Sequence, residues 1–530
     1  MHITCAAPVV RYGSHYKAVA QGSTRIRKVN KPNLPSRNLD RRQVLLAGAA
    51  LLAAPFVLTG RVFAAEGGAP LPIPPILEAD GAQPVTLTAR KGSHAFVPGT
   101  QTPTLGYEAD YLGPTLRVRR GRTAQIDVIN RTDDEVTAHW HGAHVPGNMD
   151  GGPQTAFAPG ASWAARFDVH HPAATLWYHS HVHGKTGPQV YHGLAGLLLV
   201  DDPAAPDGLP SDYGVNDIPL VVQDRSFDSA GRLVYDTSGM MSLMSGLHGD
   251  TICVNGAVRP VADVPRGLVR LRILNGSNAR FYDFAFADGR QFHQVASDGG
   301  LLPAPVARNR IALAPAERAE IVVDFSADSA PVRLISSDIA QGGMMGGGMM
   351  GGGAGSGGTL DILTFSPGAA SINAPVSLPA SLPAPPFNIG SPVRTREFQL
   401  DMHAGSMMGS MFRRLFGAND SIMGINGSAY NMGRIDASLN LGETELWRIS
   451  APMMVHPFHV HGCSFQVVSR GGRPVDPATE GHKDVVVVDA SGVEILVQAN
   501  KKADAATPFM LHCHILEHED AGMMGQFTVT

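Results

Sequence analysis

Apolar positions recur at every second residue in three separated passages of the chain. In "GPTLRVRRGRTAQIDVINRT", from Gly113, Leu116 and Val118 alternate with arginines before Gly121. "VNGAVRPVADVPRGLVRLRILNGS" starts at Val254, and "INGSAYNMGRIDASLNLGETELWRIS" at Ile425. A period of two places alternate side chains on opposite faces of an extended strand, and Gly or Asn-Gly between such runs marks a turn. Each passage therefore predicts strand, turn and strand in antiparallel β structure. The second and third share an Asn-Gly turn followed by a strand bearing Arg or Trp-Arg, about 170 residues apart. That spacing predicts three similar β-domains in series.

Composition supports short strands and many turns: 44% hydrophobic residues with 60 Gly and 39 Pro in a chain of 530. It also marks the boundaries. "LLLVDDPAAPDGLP", from Leu197, closes a first domain at 66–202. A second domain, 203–370, carries the Gly/Met-rich loop 341–358, and a Pro-rich connector, 371–392, leads to a third domain at 393–530. Before these, Arg41 and Arg42 precede an apolar run of 15 residues, Val44 to Leu58, then small residues near Ala64 and Ala65. Such a run is short for a membrane span, and twin arginines before it read as a Tat export signal occupying residues 1–65. Export of the folded protein to the periplasm is the expectation, with no membrane span in the mature chain.

The leader holds 10 of the 42 Lys/Arg and one of the 46 Asp/Glu, leaving 32 basic against 45 acidic side chains, a net of −13. With few aromatics, that balance argues against nucleic acid as a partner. Cys253, Cys463 and Cys513 remain, which is no disulfide framework; Cys253 and Cys463 read as buried thiols.

Four His-x-His pairs stand out: His139/His141, His179/His181, His459/His461 and His512/His514. In a strand, each pair aims two imidazoles to one side with Cα atoms roughly 6.6 Å apart. Eight imidazoles from four strands suit a cluster of two or three ions. Cys513 lies between His512 and His514, so its thiolate points the other way and serves a different ion. His456 and His518 complete a His₂Cys set, with Met523 as a long axial thioether, a combination that favours copper. A structural zinc site is the competing metal reading, but it leaves eight histidines and Met523 without a role.

At this point the chain resembles the multicopper oxidases. "HWHG", "HSH", "HPFHVHG" and "HCHILEHEDAGM" match the family's four copper motifs, and the likeness runs through "VPGNMDGGPQ", "HVHGKTGPQVYHGLAGLLLV" and "ASDGGLLP" over most of residues 80–530. It is strongest toward the bacterial periplasmic cuprous oxidases of the copper-efflux type, which are laccase-like. The resemblance implies an all-β fold of three consecutive cupredoxin-like Greek-key β-barrels. It implies four copper ions: type 1 on His456, Cys513, His518 and Met523; type 2 on His139 and His459; and a type 3 pair, one ion on His141, His179 and His514, the other on His181, His461 and His512. Asp150 and Glu519 match its proton-relay positions.

The resemblance further implies O₂ as acceptor and a monomer, with Cu(I) or a small organic donor as reductant. Met402, Met407, Met408 and Met411 fall where the methionine-rich segment of efflux-type enzymes begins, and Met454 matches a ligand of their substrate copper. Thioether suits Cu(I). The chain departs from that pattern at Pro452, where those enzymes have Asp. A laccase-type phenol oxidase with incidental methionines is the alternative. A copper-free scaffold, as in the cell-division relatives of the family, is disfavoured because those lack ligands that are all present here.

Overall fold

The computed structural model describes residues 68–530 except 82, 204–206, 340–357, 369–374, 376, 388 and 403–422. The expected leader, Met344, Met345, Met349 and Met350 of the Gly-rich loop, and Met407, Met408 and Met411 lie outside the described residues.

The described strands form six sheets, two from each third of the sequence. In the first unit, Ile76–Glu78, Thr115–Arg119, Ala195–Asp201, Ala174–His179 and His139–His141 line up in that order. They close over a second sheet of Thr102–Tyr107, Val85–His94, Thr123–Arg131 and Ser162–Asp168. Strand Thr123–Arg131 buries Ala124, Ile126, Val128 and Asn130 in strict alternation, and the first three share one core with Leu116, Val118 and Leu198 of the facing sheet. The second unit spans Asp217–Arg225 to Thr359–Pro367, and the third spans Arg394–Met402 to Met524–Val529; each again has two sheets around its own core. The fold is all-β, as the alternation implies.

The Asn-Gly turns are present. Asn255 and Gly256, both at positive φ (50° and 83°), join Thr251–Val254 to Ala257–Val258, and Asn426 and Gly427 (51° and 74°) make the equivalent turn after Met423–Ile425. That left-handed pair matches the twist of a two-residue hairpin.

The expectation of purely antiparallel pairing is corrected. Thr115–Arg119 runs parallel to both Ile76–Glu78 and Ala195–Asp201, and Leu268–Asn275 runs parallel to Asp217–Arg225. In a Greek-key unit the chain leaves for the other sheet and returns in the same direction, which supplies the long crossover that parallel neighbours require. The Pro-rich connector also differs from a free spacer. Leu382 is buried against Leu209 and Leu301 of the second unit, and its N–H donates to Pro303 O.

Buried charge joins the first two units. The Arg272 guanidinium contacts both oxygens of Asp217 (2.6 and 2.9 Å), Glu320 Oε1 (3.0 Å) and Thr175 Oγ1 (2.9 Å) of the first unit. Burial alone would raise the Glu320 carboxyl, but Arg270 and Arg272 outweigh it and hold the group down to about 2. The unfolded chain, with an ordinary Glu near 4.3, binds this proton first as pH falls. The stabilisation is therefore full above about 4.3 and lost toward about 2. Glu320→Gln, which leaves Arg272 half-paired, is expected to cost about 3–5 kcal/mol at neutral pH and to flatten the pH dependence within that window. Denaturant unfolding across acid pH measures both.

Candidate metal centre

Two strand pairs build the site. His139–His141 pairs antiparallel with Ala174–His179, setting His139 opposite His179; His456–Val460 pairs with Phe509–Cys513, setting His459 opposite His512. Period-two geometry turns the imidazoles of both layers toward each other across the boundary of the first and third units. His139 stacks on His461 (3.8 Å, 18°) and His141 on His459 (3.7 Å, 9°). All eight paired histidines are at most 1% exposed.

Their nitrogens gather into sets with candidate ligand atoms within 4.8 Å of one another: His141, His179 and His514; His181, His461 and His512; and His139, His141 and His459. The Nε2 atoms of His181 and His461 each lie 3.2 Å from His512 Nε2. Two nitrogens at ~2.0 Å from one tetrahedral ion stand about 3.3 Å apart, so this spacing fits ligands of a shared ion. Unpartnered buried atoms support the same fit: His139 Nε2, His141 Nδ1, His179 Nε2, His459 Nε2 and both nitrogens of His514 make no hydrogen bond. Buried polar atoms are ordinarily paired, so a cluster of free lone pairs is what a bound cation would satisfy.

On the other side of Cys513 lies the second centre. His456 Nδ1 and His518 Nδ1 are 3.4 and 3.7 Å from Cys513 Sγ and 3.2 Å from each other, all buried. The strand ends at Cys513, and the short helix Leu516–Asp520 folds His518 back onto the thiol. Met523 is fully buried beside them; its carbonyl accepts from Cys513 N–H (3.0 Å). Burial pushes the Cys513 thiol well up, so a thiolate here needs a cation beside it.

Two carboxylates touch the histidine cluster. Asp150 Oδ2 accepts from His461 Nδ1 (2.7 Å), while its Oδ1 is unpartnered. Glu519 lies 3.4 Å from His181 Nδ1 and 3.2 Å from His512 Nδ1, with no hydrogen-bond partner on either oxygen. Burial opposes the charge on Glu519, but the imidazoles of His181 and His512 overcome it and hold the carboxyl far below its usual range.

The sequence reading did not single out Asp484, which contacts His141 and His459, or Arg318, which pairs with it. Nor did it find helix Met240–Ser245 of the second unit. Its Met244 carbonyl accepts from His518 Nε2 (3.0 Å), and Met241 is 56% exposed. The pairs Met240/Met241 and Met453/Met454 were the available signal. Met453 O accepts from His456 Nε2 (3.0 Å), and Met454 sits at a left-handed φ of 64°. Met402 is buried in the third unit's core opposite Met423, away from solvent.

Family models described as multicopper oxidase match residues 88–205 and 395–530. The chain belongs to the multicopper oxidase family. Curated relatives include the cell division protein FtsP of Dickeya dadantii, 37% identical over 92% of this chain and 98% of that protein. FtsP of Escherichia coli is 36% identical over 93% and 99%. Among solved structures, a laccase-like multicopper oxidase CueO from the lignin-degrading Ochrobactrum sp., with oxidase activity towards lignin model compounds, superposes with a TM-score of 0.77 at 38% identity. The match covers 87% of this chain and all of that one. A multicopper oxidase from Campylobacter jejuni, described as a metallo-oxidase, gives 0.76 at 26% identity over 87% and 95%.

Membership implies copper, O₂ as acceptor and an electron donor. Among the described residues, no helix is long and apolar enough to cross a membrane. Cys253 and Cys463 are buried free thiols.

Burial, then mutual repulsion, holds His141, His179, His459 and His461 well below the ordinary histidine range, and burial brings His181 to about 3. Without metal, the unfolded chain takes up these protons as pH falls below about 6.5 while the folded one does not. Chelator-stripped protein is therefore expected to lose thermal stability progressively below about pH 6.5. Melting curves of that form across the range measure the loss.

Proposed function

We propose that this protein is a periplasmic multicopper oxidase that couples one-electron oxidation of Cu(I), and of small phenolic donors, to four-electron reduction of O₂ to water, with a role in copper tolerance. In this reading His456, Cys513, His518 and Met523 would hold the type 1 copper, and His139 and His459 the type 2. His141, His179 and His514, and His181, His461 and His512, hold the type 3 pair, four ions in all. When bound, copper supplies the one-electron centres and the place where O₂ is reduced. Cys513 is joined to His512 and His514 by peptide bonds alone, so the two ligand groups are separated by a short covalent path. Asp150 and Glu519, buried with unpartnered oxygens, are placed to hold and pass the protons that water formation consumes.

One observation carries the choice of donor: methionines frame the two imidazole edges that lead outward from Cys513. His518 meets the Met244 carbonyl and His456 the Met453 carbonyl, with Met454 alongside and Met241 open to solvent. Thioethers are neutral, soft ligands matched to Cu(I). Methionine also occurs at positions 407, 408 and 411 of the sequence.

The test compares O₂ uptake with Cu(I) and with a phenol on one copper-loaded preparation. Met241→Leu/Met244→Leu is expected to lower kcat/KM for Cu(I) roughly tenfold, the loss of about 1.4 kcal/mol of donor binding, with phenol turnover within about twofold. Unchanged kcat/KM for Cu(I) would favour the laccase-type alternative, in which the methionines are incidental. The curated relatives named for cell division raise a different reading, a scaffold without redox activity. Protein that takes up no copper on reconstitution and shows no blue absorbance would establish that one instead. Glu519→Gln is expected to slow turnover with every donor by about 10²–10⁴-fold while blue absorbance persists; steady-state kinetics and the visible spectrum check it.

A further inference from the structure

We infer that Arg318 of the second unit and Asp484 of the third form a lock that selects the nitrogen His141 offers to metal, which makes both positioning residues of the histidine cluster. The inference rests on the copper reading above.

Five of the clustered histidines are anchored through Nδ1. His139 donates to Asp150 O (2.9 Å), His179 to Ser180 O (2.9 Å), His459 to Asp484 O (2.7 Å), His461 to Asp150 Oδ2 (2.7 Å) and His512 to Cys513 O (3.0 Å). His141 is reversed. Its Nε2 lies 3.1 Å from Asp484 Oδ1, and its Nδ1 is buried and free. An ionised carboxylate only accepts, so the proton of His141 sits on Nε2 and the lone pair on Nδ1. Asp484 thus places two stacked imidazoles at once, His459 through its carbonyl and His141 through its side chain.

A fully buried carboxylate needs a cation to remain charged. Arg318 supplies it with a two-pronged contact, Nη1 to Oδ1 (2.7 Å) and Nη2 to Oδ2 (2.6 Å), and is itself entirely buried. The guanidinium has little freedom. Nε donates to Thr175 O (3.0 Å), Nη1 also to Ala316 O (3.2 Å) and Nη2 to Asp298 O (2.9 Å). Lys483 Nζ braces the same place from the other side, 2.9 Å from Asp298 and 2.7 Å from Glu317.

The glycine of "HWHG" supplies an independent observation. Gly142, at φ +85°, passes so close to the lock that a Cβ there would meet Asp484 Oδ2 at 2.5 Å and Arg318 Nη2 at 2.8 Å. The motif beside His141 leaves room for this ion pair.

Three variants, Asp484→Asn, Arg318→Lys and Gly142→Ala, test the lock by copper content against a competing chelator, EPR and the visible and near-ultraviolet spectra. The blue absorbance of the Cys513 centre serves as an internal control of folding. Asn can donate as well as accept, Lys keeps the charge without the two-pronged contact, and Ala displaces the pair without removing it. Asp484→Asn is expected to weaken copper retention by the histidine cluster about 10–100-fold, with Arg318→Lys between it and the parent, and blue absorbance preserved. Gly142→Ala should alter the cluster's EPR and near-ultraviolet signals in the same sense. Parent-like copper retention and spectra in Asp484→Asn would overturn the inference. So would loss of the cluster's copper only in step with loss of the blue centre in all three variants. A parent protein that binds no copper would instead defeat the copper reading itself.

Discussion

Eight imidazoles buried together are a liability unless a cation is bound among them. Each has a lone pair to satisfy, and the Nε2 atoms of His181 and His461 each stand 3.2 Å from His512 Nε2. The rest of the structure follows from meeting that condition. The four strands that carry the pairs belong to units at opposite ends of the sequence, so the cluster exists only when the first and third units close on each other. Metal binding and domain assembly are then one event, which couples copper loading to the stability of the whole fold.

The second unit contributes no histidine to the cluster, yet it is where the closure is held. Arg272 and Glu320 fasten it to Thr175, two residues before Trp177, whose ring stacks on His179. Arg318 reaches further, joining Thr175 O to Asp484 across the junction of all three units. Its helix Met240–Ser245 covers the other centre, capping His518 through the Met244 carbonyl. One unit therefore touches both metal centres from outside, through the cross-domain ion pair of Arg318 and Asp484 at one and the Met244 carbonyl at the other. Such pairs add little net stability over apolar packing, but they strongly penalise a wrong docking.

What the sequence revealed divides along the range of the interactions. Strands with one face in a core, such as Thr123–Arg131, were legible because alternation is a local pattern. The Asn-Gly turns were legible because two adjacent residues determine them. The histidine pairs were legible because i and i+2 share a face whatever the strand pairs with. Parallel pairing was not, since whether Thr115–Arg119 meets Ala195–Asp201 in one direction or the other depends on how the chain crosses between sheets. Asp484 and Arg318 were hidden for the same reason. An Asp before a run of valines and an Arg in a strand look like ordinary surface charges until the fold brings them together. Met244 acts through its carbonyl, which no side-chain motif can announce.

Fold alone does not decide between an oxidase and a scaffold. Identity to proteins named for cell division is 34–37%, and to a laccase-like oxidase 38%, each over most of the chain. Sequence divergence at that level is shared by both groups, so function must be read from the site. A scaffold needs only the sheets and their cores. It has no use for unpartnered histidine nitrogens or a fully buried thiol beside two buried imidazoles, each of which costs free energy when no metal binds. Nor does it need Asp484 and Arg318 sealed together behind His141, because a buried ion pair that merely stabilised an interface could be replaced as a pair by apolar residues of similar volume at little loss. The chain retains all of these together, and what they have in common is that bound copper would turn each from a cost into a function.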